Sequence, residues 1–327
     1  MTARITCLDA STLDRGDLDF SPLCELGSLT LHPVTRPEER AARCRESDVV
    51  ITNKIVLDES VLRACPNLRY VVIAATGTNN VDLRAAADLG IPVSNVTGYS
   101  TASVAQHVLS LMLTLATQVH RYLPEAKKWA DSPMFTRLDY PIVELEGKTL
   151  GIAGHGAIGS RVASLAQAFG MEVVALDRGK GAPSPVSTLP AGPLRVNREE
   201  FFAGSDFISL HCPLTEETRH MIHASTLAMM KPGAFLINTG RGALVDEKAL
   251  LHALEEGRIG GAALDVLSVE PPPSDHPLLR AAGRLPNLLI TPHSAWASHE
   301  SRTRLLRTIA SHIRTFFETG MAPSRVA

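Results

Sequence analysis

The chain has 327 residues and is 45% hydrophobic, which provides enough apolar mass for a large core and favours two domains over one. Its 32 Lys and Arg against 34 Asp and Glu leave a formal net charge of −2, which argues against a nucleic-acid partner and against a membrane surface. No apolar run reaches the roughly 18 residues of a membrane-spanning helix, and the opening MTARITCLDASTLDRGD is too polar for a signal peptide. The five cysteines (Cys7, Cys24, Cys44, Cys65 and Cys212) are scattered and include no CxxC pair. Neither a metal site nor a disulfide framework is expected, and a reduced, cytoplasmic setting fits.

In chain order, the N-terminal third alternates short apolar runs with polar stretches. Arg4–Leu8, Asp48–Thr52, Arg69–Ala74 and Ile91–Ser94 read as strands, and Pro37–Arg45, Asp58–Arg63 and Asp82–Leu89 as helices between them. The second and third strands lack polar–apolar alternation, as strands covered on both faces do. The pattern is βαβ and implies a parallel sheet. Thr101–Leu115 places Val104, Val108, Leu111, Met112 and Leu115 at helical spacing, a long apolar helix able to join two domains. A second βαβ series follows, with strands at Thr149–Ala153, Glu172–Asp177, Asp206–His211, Ala234–Thr239, Ala262–Val266 and Leu288–Thr291, and helices between the first five. Residues 178–197 read as a Pro- and Gly-rich surface loop. Leu305, Leu306, Ile309, Ile313, Phe316 and Phe317 mark a C-terminal amphipathic helix that stops at Gly320. The fold class expected is α/β, with two Rossmann-like domains built on parallel sheets.

The sharpest local motif is Gly154-His-Gly-Ala-Ile-Gly159, between the strand TLGIA and a helical stretch. That context is what a dinucleotide-binding turn requires: Gly154 for the tight turn, Gly156 for close approach of a pyrophosphate, and Gly159 for packing of helix on strand. The N–H groups and partial positive charge at the helix start suit phosphate. Asp177 ends the next strand, near the ~20-residue distance expected of a ribose-binding acid. Its carboxylate would accept from a ribose 2′-hydroxyl and repel a 2′-phosphate, favouring NAD over NADP, with Arg178 as a partial offset.

Arg241, Glu270 and His293 each follow a strand of the second series and so share the ligand-binding edge with the Gly-rich turn. Read singly, each is as readily a turn residue or a structural histidine. Together beside a nicotinamide they suffice for 2-hydroxy acid oxidation. The histidine takes the hydroxyl proton as hydride leaves, the carboxylate orients the ring and favours the imidazolium, and the arginine binds the substrate carboxylate.

The stretches AATGTNNVD (residues 74–82), GHGAIG, NTGRG (238–242), ALDVLSVEPP (263–272) and TPHSAW (291–296) resemble, in order and over nearly the whole chain, the D-isomer-specific 2-hydroxyacid dehydrogenases. Within that family, NVTGYSTASVAQH (95–107) and the Trp after HSA are most similar to the branch acting on hydroxypyruvate and D-glycerate. The resemblance implies Arg241, Glu270 and His293 as the catalytic trio, with Thr76 and Gly77 holding the substrate carboxylate through backbone N–H groups alongside Arg241. It further implies a cofactor site of Thr101, Gly154, Gly156, Ala157, Ile158, Gly159, Asp177, His211, Cys212, Pro213, Thr239, Gly240, Arg241, Asp265 and His293, with Asp265 on the nicotinamide carboxamide and NADH preferred to NADPH. Domain limits implied are residues 1–98 with 296–327 for a discontinuous, flavodoxin-like substrate domain, and 99–295 for the NAD domain, in a homodimer formed through the NAD domain and the Thr101 helix.

Several residues depart from the family pattern or read two ways. Gln106 stands where many members have Glu and reads as a packing difference. His155 is a polar residue of neutral role within the turn, and Cys212 a small loop residue rather than a nucleophile. Lys54 reads equally as a carboxylate-assisting cation and as a surface lysine. Trp129 and Trp296 either wall the substrate from a partner subunit or pack in a core. Other readings are a glyoxylate or D-lactate reductase of the same family, and an NAD-sensing, corepressor-like binding protein. Phosphoglycerate dehydrogenase is disfavoured by the missing extra domain of its larger forms, and formate dehydrogenase by Glu270 in place of Gln.

Overall fold

A computed structural model describes residues 3–177 and 192–327. The chain forms two compact units, Met1–Ser100 with Trp296–Ala327, and Thr101–Ala295.

In the first unit, strands β1 (Ala3–Cys7), β2 (Gly27–Leu31), β3 (Val49–Thr52), β4 (Tyr70–Ile73) and β5 (Val93–Asn95) form one sheet in the order β2-β1-β3-β4-β5. Every pairing is parallel. This is the flavodoxin-type order. All residues of β3 and β4 are buried, because both faces are covered. Ile51 and Val72 meet Leu305, Ile309 and Ile313 of the C-terminal helix (His299–Thr319) on one side. Val50, Val71 and Ile73 meet Leu57, Leu62 and Ala86 on the other. Removal of such side chains from water at ~25 cal/mol per Å² is what holds the returning helix to a sheet made from the other end of the chain. Tyr70 stacks on Phe316, ring centroids 4.5 Å apart, and donates its hydroxyl to Ser94 Oγ at 2.7 Å. Arg302 grips Asp17 with two bonds of 2.7 and 2.8 Å. The guanidinium holds the Asp17 carboxyl well below the usual range. The helix starts at Ser298, whose Oγ accepts from Ser301 N, and ends at Gly320 with φ +73°.

In the second unit, β6 (Thr149–Ala153), β7 (Glu172–Leu176), β8 (Leu194–Val196), β9 (Phe207–Leu210), β10 (Phe235–Asn238), β11 (Gly261–Leu264) and β12 (Leu288–Ile290) form an all-parallel sheet. The order is β12-β11-β10-β9-β6-β7-β8. It reverses between β6 and β9, the switch point at which doubly wound sheets bind ligands. The Thr101–Thr117 helix buries Val104, Val108, Leu111, Met112 and Leu115 against the Ala157–Ala168 helix and strands β10 and β11. Among the described residues no single helix is long and apolar enough to cross a membrane.

Among the described residues, ten strands stand within a residue or two of their expected positions, but two were not anticipated, β2 and β8. Both are edge strands whose residues are mostly exposed or half-exposed, so neither carries a run of core residues. β8 corrects the reading of 178–197 as a continuous loop; residues 178–191, with Arg178, lie outside the described residues. The Pro37–Arg45 stretch divides into a 3-10 turn (Pro37–Glu39) and a helix (Arg40–Cys44), and an unanticipated short helix, Pro277–Ala282, joins β11 to β12.

Candidate active site

The Gly-rich turn follows β6 at the switch point. Gly154 has φ +103°, and a Cβ there would collide with the backbone of His211 and Cys212, so only glycine fits. The same closeness sets His211, Cys212 and Pro213 against the turn, with His211 N donating to Ala153 O at 2.7 Å. Gly156 is the N-cap of the Ala157–Ala168 helix, and Ala157, Ile158 and Gly159 form its first turn. Backbone N–H groups there have no partner within the helix. Among the described residues, and apart from Gly156 and its chain neighbours, no atom lies within 4 Å of where a Gly156 Cβ would stand, leaving room for a phosphate. Asp177 is exposed just past β7 and donates its N–H to Val196 O at 2.9 Å. β6 and β7 are direct neighbours, so Asp177 and the turn share one sheet edge. Desolvation lowers the His211 imidazole to about 4, and Ser209 Oγ lies 2.9 Å from its Nε2. Neutral at physiological pH, His211 adds no charge beside the turn. Cys212 is buried, its Sγ 3.5 Å from Met221 Sδ.

Past β10, the buried Asn238 side chain shapes the next three residues. Its Nδ2 donates to Arg241 O at 2.9 Å and its Oδ1 accepts from Gly240 N at 3.0 Å. Arg241 is exposed and donates Nη1 to Gly240 O at 2.7 Å. A Cβ on Gly242 would collide with the backbone of Leu267 and Ser268, so the loop after β10 lies directly against the loop after β11 that leads to Glu270. Thr239 Oγ1 is buried and, among the described residues, has no hydrogen-bond partner. A buried hydroxyl without a partner costs ~1–3 kcal/mol, which fits a donor or acceptor supplied by a bound dinucleotide.

His293 follows β12. Its Nδ1 lies 2.7 Å from Glu270 Oε2, and Glu270 Oε1 accepts from Leu267 N at 3.0 Å. Each side chain is about one-third exposed, at 31% and 34%. A carboxylate can only accept, so the Nδ1 proton is fixed toward Glu270, and Nε2 is the ring nitrogen that this contact does not engage. His293 has φ +51°, a left-handed conformation costing ~1–2 kcal/mol in a non-glycine residue. Asp265 holds it there. Its carbonyl accepts from His293 N (2.8 Å), its Oδ1 from Ser294 N and its Oδ2 from Ala295 N (2.9 Å each), and Thr291 donates its hydroxyl to Oδ1 at 2.5 Å.

The carboxyl edge of this one sheet therefore gathers the Gly-rich turn, Asp177, the 211–213 loop, Thr239–Arg241, Asp265, Glu270 and His293. Thr101 opens the helix of the same unit. Thr76 and Gly77 belong to the first unit, just past β4, where Asn95 Nδ2 donates to Thr76 O at 2.7 Å and Thr76 donates to Val96 O at 3.1 Å. Lys54 is exposed past β3, and its N–H and that of Asn53 are held by the buried Asp9 carboxylate at 2.6 and 2.9 Å. Burial pushes the Asp9 carboxyl up from its ordinary range, more than those bonds lower it. Trp296 meets Tyr99 edge-on at 6.2 Å within the first unit's core, whereas Trp129 is 57% exposed. Asn238 and Asp9 were missed from sequence, since a lone polar residue at a strand end carries no periodic signal.

A histidine–carboxylate pair, an exposed arginine and a Gly-rich turn of dinucleotide-binding form share one sheet edge, a set of groups with the chemistry needed for proton transfer beside a hydride carrier. Residues 109–295 match the model of the D-isomer specific 2-hydroxyacid dehydrogenase NAD-binding domain. The chain is 39% identical to a glycerate dehydrogenase of Methylorubrum extorquens, covering 97% of this chain and 96% of that protein. It is 38% identical to a hydroxypyruvate reductase of Blautia hydrogenotrophica (96% and 97%) and 40% identical to a glyoxylate reductase of Korarchaeum cryptofilum (88% and 84%). The chain belongs to the D-isomer-specific 2-hydroxyacid dehydrogenases, a family of NAD-binding oxidoreductases.

Proposed function

We propose that this protein reduces hydroxypyruvate to D-glycerate with NADH, reversibly, through His293, Glu270 and Arg241. The observation that carries the reading is the 2.7 Å contact between His293 Nδ1 and Glu270 Oε2, which engages one ring nitrogen of a histidine that is a third exposed. When bound, NADH supplies the hydride. His293 Nε2–H donates its proton to the carbonyl oxygen of the oxo acid as that oxygen gains charge. Glu270 fixes the ring and compensates the imidazolium that forms in the oxidative direction. The Arg241 guanidinium pairs with the substrate carboxylate. The N–H groups of Gly156, Ala157, Ile158 and Gly159 would hold the dinucleotide's phosphates, and His211, Cys212, Pro213, Thr101, Thr239, Gly240 and Asp265 would complete the cofactor site. Relatives named for hydroxypyruvate and glycerate over nearly the full chain support this substrate; the relative named for glyoxylate supports glyoxylate as the second choice.

Asp177 gives the preference for NADH, since a carboxylate at the ribose repels a 2′-phosphate. A cytoplasmic homodimer completes the reading. The stretch after the Thr101 helix exposes Leu123, Trp129, Met134, Phe135 and Leu138, of which Phe135 is 90% exposed, a surface suited to a second copy. The test is product identity: hydroxypyruvate with NADH should yield D-glycerate, and L-glycerate or no glycerate contradicts the proposal. In parallel, Asp177→Ala should narrow the NADH-over-NADPH preference about tenfold or more, the loss of a charge-assisted hydrogen bond. A native enzyme that already prefers NADPH removes Asp177 from this role.

A further inference from the structure

The loop from Thr291 to Ala295 carries His293 in its left-handed conformation, and one helix holds both of its ends. Ser103 and His107 are four residues apart on the Thr101–Thr117 helix, so they project from one face, a turn apart. Ser103 donates its hydroxyl to Ala295 O at 2.7 Å. His107 Nε2 lies 3.0 Å from Thr291 Oγ1 and 3.6 Å from Asp265 Oδ1. The directions follow from counting protons. Thr291 has one hydroxyl proton, and at 2.5 Å it goes to the Asp265 carboxylate, which can only accept. Thr291 must then accept from His107, so His107 carries its proton on Nε2. The chain runs from His107 N–H to Thr291 to Asp265, and Asp265 in turn binds the consecutive N–H groups of His293, Ser294 and Ala295.

We propose that Ser103 and His107 are positioning residues for the reaction, clamping the two ends of the His293 loop so that the imidazole stays where it can transfer a proton. The proposal rests on His293 as the proton donor. Neither residue touches the reacting atoms; they act through Thr291, Asp265 and the loop backbone. A reacting group displaced by about 1 Å can lose a hundredfold in rate, so the clamp affects kcat more than binding.

The test compares His107→Leu, His107→Gln and Thr291→Val with His293→Ala, in steady-state turnover and in NADH binding by fluorescence. His107→Leu and Thr291→Val should each lower kcat about ten- to a hundredfold, with the NADH Kd within about threefold of native. His107→Gln, which keeps an N–H donor, should recover most of kcat. The double variant His107→Leu/Thr291→Val should be no slower than Thr291→Val alone, because both break the same chain. Native kcat in His107→Leu and Thr291→Val, even with a lowered melting temperature, overturns the clamp while an inactive His293→Ala keeps the parent reading. A loss confined to NADH affinity assigns the chain to the cofactor and also overturns it. Substantial turnover in His293→Ala removes the basis for both.

Discussion

His293→Ala should lower kcat about 10²- to 10⁴-fold with hydroxypyruvate and NADH, while the NADH Kd changes little. The imidazole is a third exposed, and its Nδ1 contact with Glu270 leaves Nε2 as the nitrogen able to reach a carbonyl oxygen. Neither His211, which is neutral and desolvated, nor His107, which is committed to Thr291, replaces it. Because the variant removes a proton donor and not a binding surface, the loss should fall on kcat more than KM. A weakened NADH Kd with normal kcat would instead make His293 a cofactor contact.

Arg241→Lys should lower kcat/KM for the oxo acid about a hundredfold, or ~2.7 kcal/mol. Lysine keeps the charge and loses the planar two-pronged geometry that matches a carboxylate. The Asn238 brace and the tight Gly242 approach fix the Arg241 backbone and not the side chain's chemistry, so fold and NADH affinity should be native. Aldehyde substrates without the carboxylate should show no such penalty, which separates charge recognition from general damage; an equal loss with them would count against the assignment.

Much of this was legible in the sequence because a buried parallel strand is an apolar run and a doubly wound sheet puts its chemistry at strand ends. AFLINT, AALDV and NLLITP each stop just before a residue of the trio, and TLGIA before the Gly-rich turn. What was not legible falls into two kinds. β2 and β8 are edge strands with exposed residues, so burial left no pattern on them. The polar braces were also hidden. Asp9, Ser103 and Thr291 are single residues whose partners lie on other elements, 192 positions apart for Ser103 and Ala295, and Asn238 braces the turn just after it. Asp265 stood out in the sequence, but its grip on three consecutive N–H groups could be seen only in the folded loop. Cys212, placed from sequence as a small loop residue, is buried beside Met221.

The most direct test is a comparison of kcat/KM for NADH oxidation, followed at 340 nm near neutral pH, across hydroxypyruvate, glyoxylate, pyruvate, 2-oxobutyrate and phenylpyruvate, with NADPH as a parallel arm. The account predicts the highest efficiency for hydroxypyruvate with NADH. A higher efficiency with glyoxylate or another oxo acid would contradict the substrate assignment, and no NADH oxidation with any of them, in a protein that binds NADH, would contradict the enzymatic reading itself.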